Sequence, residues 1–353
     1  MSKTTRSSPV RSDKAKSNKA RSVPGPRCLA LLTPLPAEGL SPAAQQRLSG
    51  SRGGFPARLN IARSDVLRLR TDTMRHMSIS GMQDKLSLKL TRGRLSPVES
   101  GGTHILKPIP SAALPTFTED VPANEALIMH LAATVGGCTV APYGLVRLGD
   151  ETLAYITRRF DRLDAQTKLI QEDCSVLAGS SEATHGTNYK YDYSYEGIGR
   201  LLAAYCSAPG PTCLEFLRRV IFSYVIGNGD AHLRNFSVLR DLDGAVRLSP
   251  AYDLLSTHLH LPNESALALD VLANDDVTPS YQTLGFYSAA DFRELGRRMG
   301  LPAALVAMEL ERYRAPQLLT QTEALVRRSY LSPPAQDALL AVITDRLRAL
   351  AQG

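Results

Sequence analysis

The sequence has no cysteine- or histidine-based zinc motif, no disulfide framework and no apolar run long enough to cross a bilayer. Its five cysteines are scattered, without a Cys-x-x-Cys pair or a cluster of histidines nearby. An odd number of isolated cysteines favours reduced cytosolic thiols over a disulfide framework or a zinc site. No stretch approaches the roughly 18 apolar residues that a membrane span requires. The sequence therefore predicts a cytoplasmic protein that makes no membrane contact.

The net positive charge of the chain lies entirely in its first part. Residues 1–27 contain eight basic side chains and one acidic side chain, which accounts for the whole formal net charge of +7. The segment is nearly free of large apolar residues and has no secretory signal, so we expect a disordered basic tail. It is either simply solvated or an arm that contacts nucleic acid through charge. The nearly neutral remainder argues against DNA binding by the body of the protein.

The sequence also lacks a Walker A motif and the Gly-x-Gly-x-x-Gly loop of ordinary protein kinases. Its nearest equivalent is a Ser/Gly segment at residues 77–85, followed by alternating apolar residues at 86–90 that predict a half-buried strand. Backbone N–H groups of such a loop can bind phosphate oxygens, with Lys85 as a counter-charge. A purely structural turn is the alternative interpretation.

The stretch richest in chemistry is residues 226–239, Ile-Gly-Asn-Gly-Asp-Ala-His-Leu-Arg-Asn-Phe-Ser-Val-Leu. It connects an apolar helix, predicted over residues 213–226, to a predicted β-hairpin. Asp230 and Asn235 are five residues apart in a tight turn, so both can reach one cleft. Phosphoryl transfer uses a carboxylate to deprotonate the attacking hydroxyl and an amide oxygen to help hold Mg²⁺. Asp253 follows the hairpin as a second metal-ligand candidate, although Asn-Gly-Asp is also common in ordinary turns.

Upstream, Lys107 lies at the end of a predicted strand and Glu125 near the start of an amphipathic helix. Such a pair positions ATP phosphates in kinases. Alternatively, Lys107 is a solvated edge-strand lysine and Glu125 complements the helix dipole. Two further strands, at residues 143–148 and 153–157, lead to a connector at 158–162. This order of elements favours a kinase.

The remaining segments carry less information. Residues 28–33 predict a strand, and Ser41-Pro42 predicts the start of a helix. After the connector, helices are predicted at 173–177 and 195–205, and about three more from residue 289 onward. The polar, aromatic loop at 188–195 is either a docking surface for a protein substrate or an ordinary surface loop.

Six ordered motifs together resemble the HipA family of bacterial serine/threonine kinase toxins over residues 28–350. They are Ser78-Ile-Ser80-Gly81-x-Gln83-x-Lys85-Leu, Lys107-Pro, Asn124-Glu125, Arg159-Phe160-Asp161-Arg162, Gly229-Asp230-Ala-His232-x-x-Asn235-Phe-Ser and Tyr252-Asp253-Leu. Within the family the chain is most similar to the short HipT type, because the full N-terminal subdomain of HipA proper is missing. The basic tail lies outside the resemblance.

The resemblance implies an α+β, two-lobed, protein-kinase-like fold. We expect a small antiparallel β lobe with one helix, followed by a larger helical lobe. The expected divisions are a disordered tail (1–27), a small N-terminal subdomain (28–76), an ATP-binding N-lobe region (77–160) and a helical C-lobe with the catalytic and metal-binding loops (161–353).

The resemblance also implies ATP- and Mg²⁺-dependent phosphorylation of a protein serine or threonine. Asp230 would be the catalytic base, Asn235 and Asp253 the metal ligands, and Lys107 the phosphate-binding lysine. His232 is either a further catalytic residue or a hydrogen-bonded brace of the loop. Autophosphorylation is expected at Ser78 and Ser80. The full expected nucleotide-binding set is Ser80, Gly81, Met82, Gln83, Asp84, Lys85, Lys107, Glu125, Arg158, Arg159, Phe160, Tyr252 and Asp253.

In this family the activity belongs to the toxin of a type II toxin–antitoxin system. The implied target is an aminoacyl-tRNA synthetase, whose phosphorylation halts translation and growth. The implied partners are a helix-turn-helix antitoxin and a small HipS-like protein, with DNA contacted only through the antitoxin. Two alternatives stay open, a small-molecule phosphotransferase with the same type of turn and a catalytically silent, complex-forming scaffold.

Overall fold

The computed structural model describes residues 25–51, 54–66, 68, 84–164 and 167–352. Most of the predicted phosphate loop, including Ser78, Ser80, Gly81, Met82 and Gln83, lies outside these ranges, as does the basic tail up to residue 24. The predictions for both segments therefore stay predictions. In the described part of the chain, no helix is both long and apolar enough to span a membrane.

Within the described ranges, five antiparallel strands form the sheet of the small lobe. They are β1 (Leu86–Thr91), β2 (Arg94–Pro97), β3 (His104–Lys107), β4 (Tyr143–Arg147) and β5 (Leu153–Arg158), arranged in the order β2-β1-β3-β5-β4. The predicted alternation at residues 86–90 is confirmed at its start, because Leu86 and Leu88 are buried and Ser87 and Lys89 are partly exposed. Since β3 lies between β1 and β5, Lys107 is on an interior strand rather than an edge strand.

Described residues of the segments 25–51 and 54–66 pack against β4, an edge strand of the sheet. The predicted strand at 28–33 is wrong: the chain turns back on itself there, and the Cys28 N–H donates to the Thr33 carbonyl over 2.8 Å. Its apolar side chains are buried as a turn instead, among them Leu29 and Leu32. The predicted helix start is confirmed in α1 (Pro42–Ser49), because the Ser41 hydroxyl accepts a hydrogen bond from the Ala44 N–H.

Helix α2 (Val121–Thr134) packs across β4 and β5. The sequence interpretation of an amphipathic helix is wrong, because every residue from Val121 to Ala132 is buried. The face away from the sheet is covered by the C-terminal part of the chain, where Asp120 accepts hydrogen bonds from the N–H and hydroxyl of Ser332. Glu125, on this helix, has a side chain that is 0% exposed.

The large lobe is mainly helical. Its helices are α3 (Cys174–Leu177), α4 (Glu182–His185), α5 (Tyr195–Tyr205), α6 (Pro209–Ile226), α7 (Pro279–Leu284), α8 (Ala289–Arg298), α9 (Ala303–Arg314), α10 (Pro316–Arg328) and α11 (Pro333–Ala351). Four of them follow residue 289, one more than expected. Helix α6 begins four residues earlier than predicted, with a proline in its first turn, and packs against α5, α8 and α11.

A three-stranded antiparallel sheet lies beside the end of α6. It consists of β6 (Ile170–Asp173), β7 (Ser237–Arg240) and β8 (Val246–Leu248), in that order. The hairpin predicted after residue 235 is confirmed as β7 and β8. Residue Asp173, predicted as helical, ends β6 and caps α3 by accepting from the Ser175 N–H over 3.0 Å. Buried apolar residues of both lobes form one continuous core.

Candidate active site

A cleft of about 910 Å³ lies between the sheet of the small lobe and the large lobe. It brings together predicted site residues that are far apart in the chain. Those lining it are Lys85, Lys107, Arg158, Arg159, Phe160, Asp230, His232, Asn235, Tyr252 and Asp253. Glu125 lies directly behind Lys107, and Asp84 is buried, accepting a hydrogen bond from the Ser111 N–H. Their roles in binding and catalysis stay predictions.

Lys107 connects the two lobes. Its Nζ lies 2.6 Å from Oε1 of Glu125 and 2.6 Å from Oδ1 of Asp253. The Lys107 side chain is 3% exposed and that of Glu125 is 0% exposed, so the interpretation of Lys107 as a solvated lysine is wrong. A strand lysine, a helix glutamate and a loop aspartate thus meet at one point, although Lys107 and Asp253 are 146 positions apart in the chain.

The charges of Lys107 and Asp253 stabilise one another, whereas burial raises the pKa of Glu125. Burial alone would lower the pKa of Lys107, but the carboxylates of Asp253 and Glu125 outweigh burial and raise it. Burial would likewise raise the pKa of Asp253, but Lys107 and Lys85 outweigh it and lower the pKa to about 2. Lys107 and Asp253 are therefore both charged at neutral pH.

Asp253 has a left-handed backbone, with φ of 54°. A non-glycine residue in this region carries strain of about 1–3 kcal/mol, which is typically retained where a site needs it. The preceding residue anchors the loop, because the Tyr252 hydroxyl donates to the Arg234 carbonyl over 2.8 Å and also contacts the Ser237 hydroxyl. The loop that holds Asp253 is thereby fixed to the turn that holds Asp230.

The turn containing Asp230 and Asn235 follows directly from α6. The helix ends at Gly227, whose φ of 66° suits a residue without a Cβ. The Asn228 side-chain oxygen then accepts from the Asp230 N–H over 3.1 Å, and the Asn235 N–H donates to the His232 carbonyl over 2.9 Å. Buried residues anchor the turn between Asp230 and Asn235. The side chains of these two residues both line the cleft, as their spacing predicted.

His232 lies within the same turn, with its Nε2 3.8 Å from Oδ1 of Asp230. Burial lowers the pKa of His232 to about 4, despite the opposing effect of Asp230. The ring is therefore neutral at pH 7 and forms no charged pair with Asp230. Its Nδ1 atom is buried without a hydrogen-bond partner among the described residues, so the hydrogen-bonded brace and the catalytic role both stay predictions.

The oxygen groups in the cleft fit Mg²⁺ and a nucleotide. The Asn235 Oδ1 atom is buried and has no hydrogen-bond partner among the described residues, so it is available as a ligand. The partly exposed Asp253 carboxylate supplies a second oxygen, and oxygen ligands are those that Mg²⁺ prefers. At the connector, the Phe160 ring packs against Tyr252 at 5.4 Å, and the Arg159 guanidinium binds both oxygens of Asp161.

Two residues at the site were missed from the sequence. The Tyr191 hydroxyl donates to Oδ1 of Asp230 over 2.5 Å, although residues 188–195 were interpreted only as a docking or surface loop. Glu264 accepts from the Gly229 N–H over 3.3 Å and contacts the Thr257 hydroxyl, and burial raises its pKa to about 7. Neither the Tyr191 contact nor the Glu264 contact could be predicted from a spacing in the sequence. The only sequence signal was the polar, tyrosine-rich loop that contains Tyr191.

The fold and the cleft define a two-lobed, kinase-like protein, and comparison with known proteins agrees. The HipA-like C-terminal domain family matches residues 77–325, so the chain belongs to this family. A putative kinase of Haemophilus influenzae is 28% identical over 312 residues, which cover 84% of this chain and 88% of that protein.

Two further relatives are longer proteins. The putative kinase Y4mE of Sinorhizobium fredii is 35% identical over 231 residues, covering 64% of this chain and 51% of that protein. The serine/threonine-protein kinase toxin HipA of Shewanella oneidensis is 28% identical over 265 residues, covering 69% and 57%. The chain thus spans little more than half the length of these two relatives.

Solved structures confirm the fold. HipA of Shewanella oneidensis, in complex with HipB and operator DNA, aligns with a TM-score of 0.60 at 21% identity, covering 83% of this chain and 72% of that one. The proinflammatory kinase CtkA of Helicobacter pylori aligns with a TM-score of 0.53 at 14% identity, covering 78% and 91%. The predicted two-lobed kinase-like fold and the HipA-family membership are both confirmed, whereas the HipT subtype stays a prediction.

Proposed function

We propose that the protein is an ATP- and Mg²⁺-dependent kinase that phosphorylates serine or threonine hydroxyls of a protein. The observation that carries the proposal is the buried contact of Lys107 with Glu125 and Asp253, in the same cleft as Asp230 and Asn235. A lysine on a strand, a glutamate on the adjoining helix, and Asp and Asn on catalytic and metal-binding loops are the parts that kinase-type phosphoryl transfer uses.

Each side chain has a proposed task. Lys107, oriented by Glu125, binds phosphate oxygens of the nucleotide. Asn235 and Asp253 would hold Mg²⁺, which supplies charge neutralisation at the phosphates when bound. Asp230 orients the acceptor hydroxyl and takes its proton. Backbone groups of residues 158–160 bind adenine, and the remaining predicted binding residues, at 80–85, contact the phosphates.

The proposed cellular role is that of a toxin in a type II toxin–antitoxin system, with an aminoacyl-tRNA synthetase as target. Family membership and the similarity to a protein named as a kinase toxin support this role. The solved HipA complex with HipB and operator DNA supports a helix-turn-helix antitoxin as partner. A HipS-like partner, the divisions at residues 27, 76 and 160, and autophosphorylation at Ser78 and Ser80 belong to the same proposal.

The test is phosphoryl transfer to defined acceptors. The purified protein is incubated with Mg²⁺ and radiolabelled ATP beside each bacterial aminoacyl-tRNA synthetase, and in parallel with small sugars and amino alcohols. We expect label on a serine or threonine of one synthetase and none with the Asp230→Ala variant. Label on a small molecule alone would replace the proposal with a small-molecule phosphotransferase. ATP binding without any turnover would favour a silent scaffold.

A further inference from the structure

The Asp230 carboxylate, proposed as the catalytic base, is far more exposed than the buried Lys107–Glu125 pair of the same cleft. Its side chain is 44% exposed, whereas the Lys107 and Glu125 side chains are nearly inaccessible. An exposed aspartate rotates freely unless a neighbour fixes it, and a general base must be held within hydrogen-bond reach of the proton it takes. The described residues include one side chain that donates a hydrogen bond to this carboxylate, namely Tyr191.

Tyr191 is itself held in place from several sides. Its ring packs edge-on against His232, with 5.2 Å between ring centroids, and the Lys190 Nζ lies 4.8 Å from the centre of its ring. The Leu233 N–H donates to the Lys190 carbonyl over 3.2 Å, which joins this loop to the catalytic turn. Tyr191 therefore contacts the turn through its hydroxyl and its ring, although the residue is 38% exposed.

The chemistry of the contact suits a permanent donor. Burial and the hydrogen bond to Asp230 raise the pKa of the Tyr191 phenol, so it keeps its proton throughout the working pH range. It occupies Oδ1 of Asp230. The other oxygen, Oδ2, has no hydrogen-bond partner in the described parts of the chain, and the Asp230 side chain is 44% exposed.

We propose that Tyr191 is a positioning residue for phosphoryl transfer, which fixes the rotamer of Asp230 through Oδ1 and leaves Oδ2 to take the acceptor proton. The inference rests on the proposed function, because it assigns Asp230 the role of base. It also predicts that the loop carrying Tyr191 controls the rate of transfer and not the affinity for nucleotide.

The first test is kinetic and uses the full chain with Mg-ATP. Tyr191→Phe should lower kcat about ten- to a hundredfold, because a misplaced base lowers the rate of the chemical step. The KM for ATP and the equilibrium affinity for ATP should not change. ATP hydrolysis, in which water takes the phosphoryl group and ADP leaves, is measured without a protein acceptor. Phosphoryl transfer is measured separately, with the synthetase that the wild type phosphorylates as the acceptor. Tyr205→Phe, which removes an exposed phenol at the end of α5, is the matched control and should keep the wild-type rate.

The second test needs no activity. Urea unfolding of the wild type, Tyr191→Phe, Asp230→Ala and the double variant forms a double-mutant cycle. The shift in urea midpoint caused by Tyr191→Phe should be present in the wild-type background and absent in the Asp230→Ala background. The same shift in both backgrounds would show that the two side chains do not interact, and would overturn the proposal.

The kinetic outcomes are equally decisive. An unchanged or higher kcat in Tyr191→Phe would overturn the positioning role, the higher value showing that the phenol obstructs the acceptor. A raised KM for ATP with a normal kcat would also overturn the positioning role. If the wild type transfers phosphate to neither protein nor water while the unfolding cycle shows coupling, the proposed function fails and the structural contact stands.

Discussion

The two halves of the cleft are built in opposite ways. In the half proposed to bind phosphate, Lys107 and Glu125 are enclosed, and Asp253 reaches them from a loop with a strained backbone. In the half proposed to receive the acceptor, Asp230 is 44% exposed and is held by Tyr191 from a surface loop. The first half is fixed by the core before any ligand binds, whereas the second is accessible to a large substrate.

This difference matches what the two ligands would demand. A nucleotide is small and always the same, so a rigid, buried charge group can be prepared for it in advance. A folded protein acceptor is large and must approach from solvent, which requires that the base be exposed. Buried groups should therefore affect folding and catalysis together, while exposed groups should affect catalysis alone.

The largest expected effect is on the rate of phosphoryl transfer, when either half of the cleft loses its aspartate carboxylate. Asp230→Ala and Asp253→Ala should each lower the rate by a factor of about 10³ or more, because each removes several kcal/mol of transition-state stabilisation. Asp230→Ala should keep its affinity for Mg-ATP, and Asp253→Ala should lose it, as measured by calorimetric titration. Asp243→Ala, in the exposed β7–β8 turn, is the control. Wild-type rates in either active-site variant would contradict the assigned roles.

A smaller effect, on stability, should be confined to the buried half. Lys107→Met leaves Glu125 buried beside Asp253 without its cation, which should lower the free energy of unfolding by about 3 kcal/mol. Adding Glu125→Leu removes that stranded charge and should restore most of the stability without restoring activity. Urea unfolding and transfer assays on both variants measure this. A double variant as unstable as Lys107→Met would show that the unpaired Glu125 charge does not cause the loss of stability.

The smallest effect should come from Glu264, beside the catalytic turn. Its pKa of about 7 in the folded protein is above the 4.5 of an ordinary glutamate. The folded state therefore binds this proton more tightly than the unfolded state. The resulting stabilisation is full below about pH 4.5 and is lost as the pH rises through 7.

Glu264→Gln cannot lose this proton, so its Tm should rise relative to the wild type between pH 5 and pH 8. Thermal unfolding at both pH values measures the change, and Glu99→Gln, at an exposed position, serves as the control. A Tm difference that does not vary with pH would show that Glu264 does not titrate in this range.

Much of this arrangement could be predicted because it is encoded locally. The alternating residues at 86–90, the Ser41-Pro42 helix start and the apolar helix before Gly227 all have periodic or capping signals in neighbouring residues. The order of the motifs was enough to predict Lys107, Asp230 and the other candidate residues as parts of a kinase-like site. The structure brings these residues into one cleft.

Tertiary structure alone decided the environments. The apolar residues at 28–33 form a buried turn and α2 is buried on every side, because distant segments cover them. Likewise, the hydrogen bond of Tyr191 to Asp230 joins residues 39 positions apart, and that of Lys107 to Asp253 joins residues 146 positions apart. Sequence periodicity reports which residues share a face over a few turns, but it cannot report which distant segment covers a side chain or supplies its hydrogen-bond or charge partner. Those distant segments set burial, pKa and orientation in this cleft.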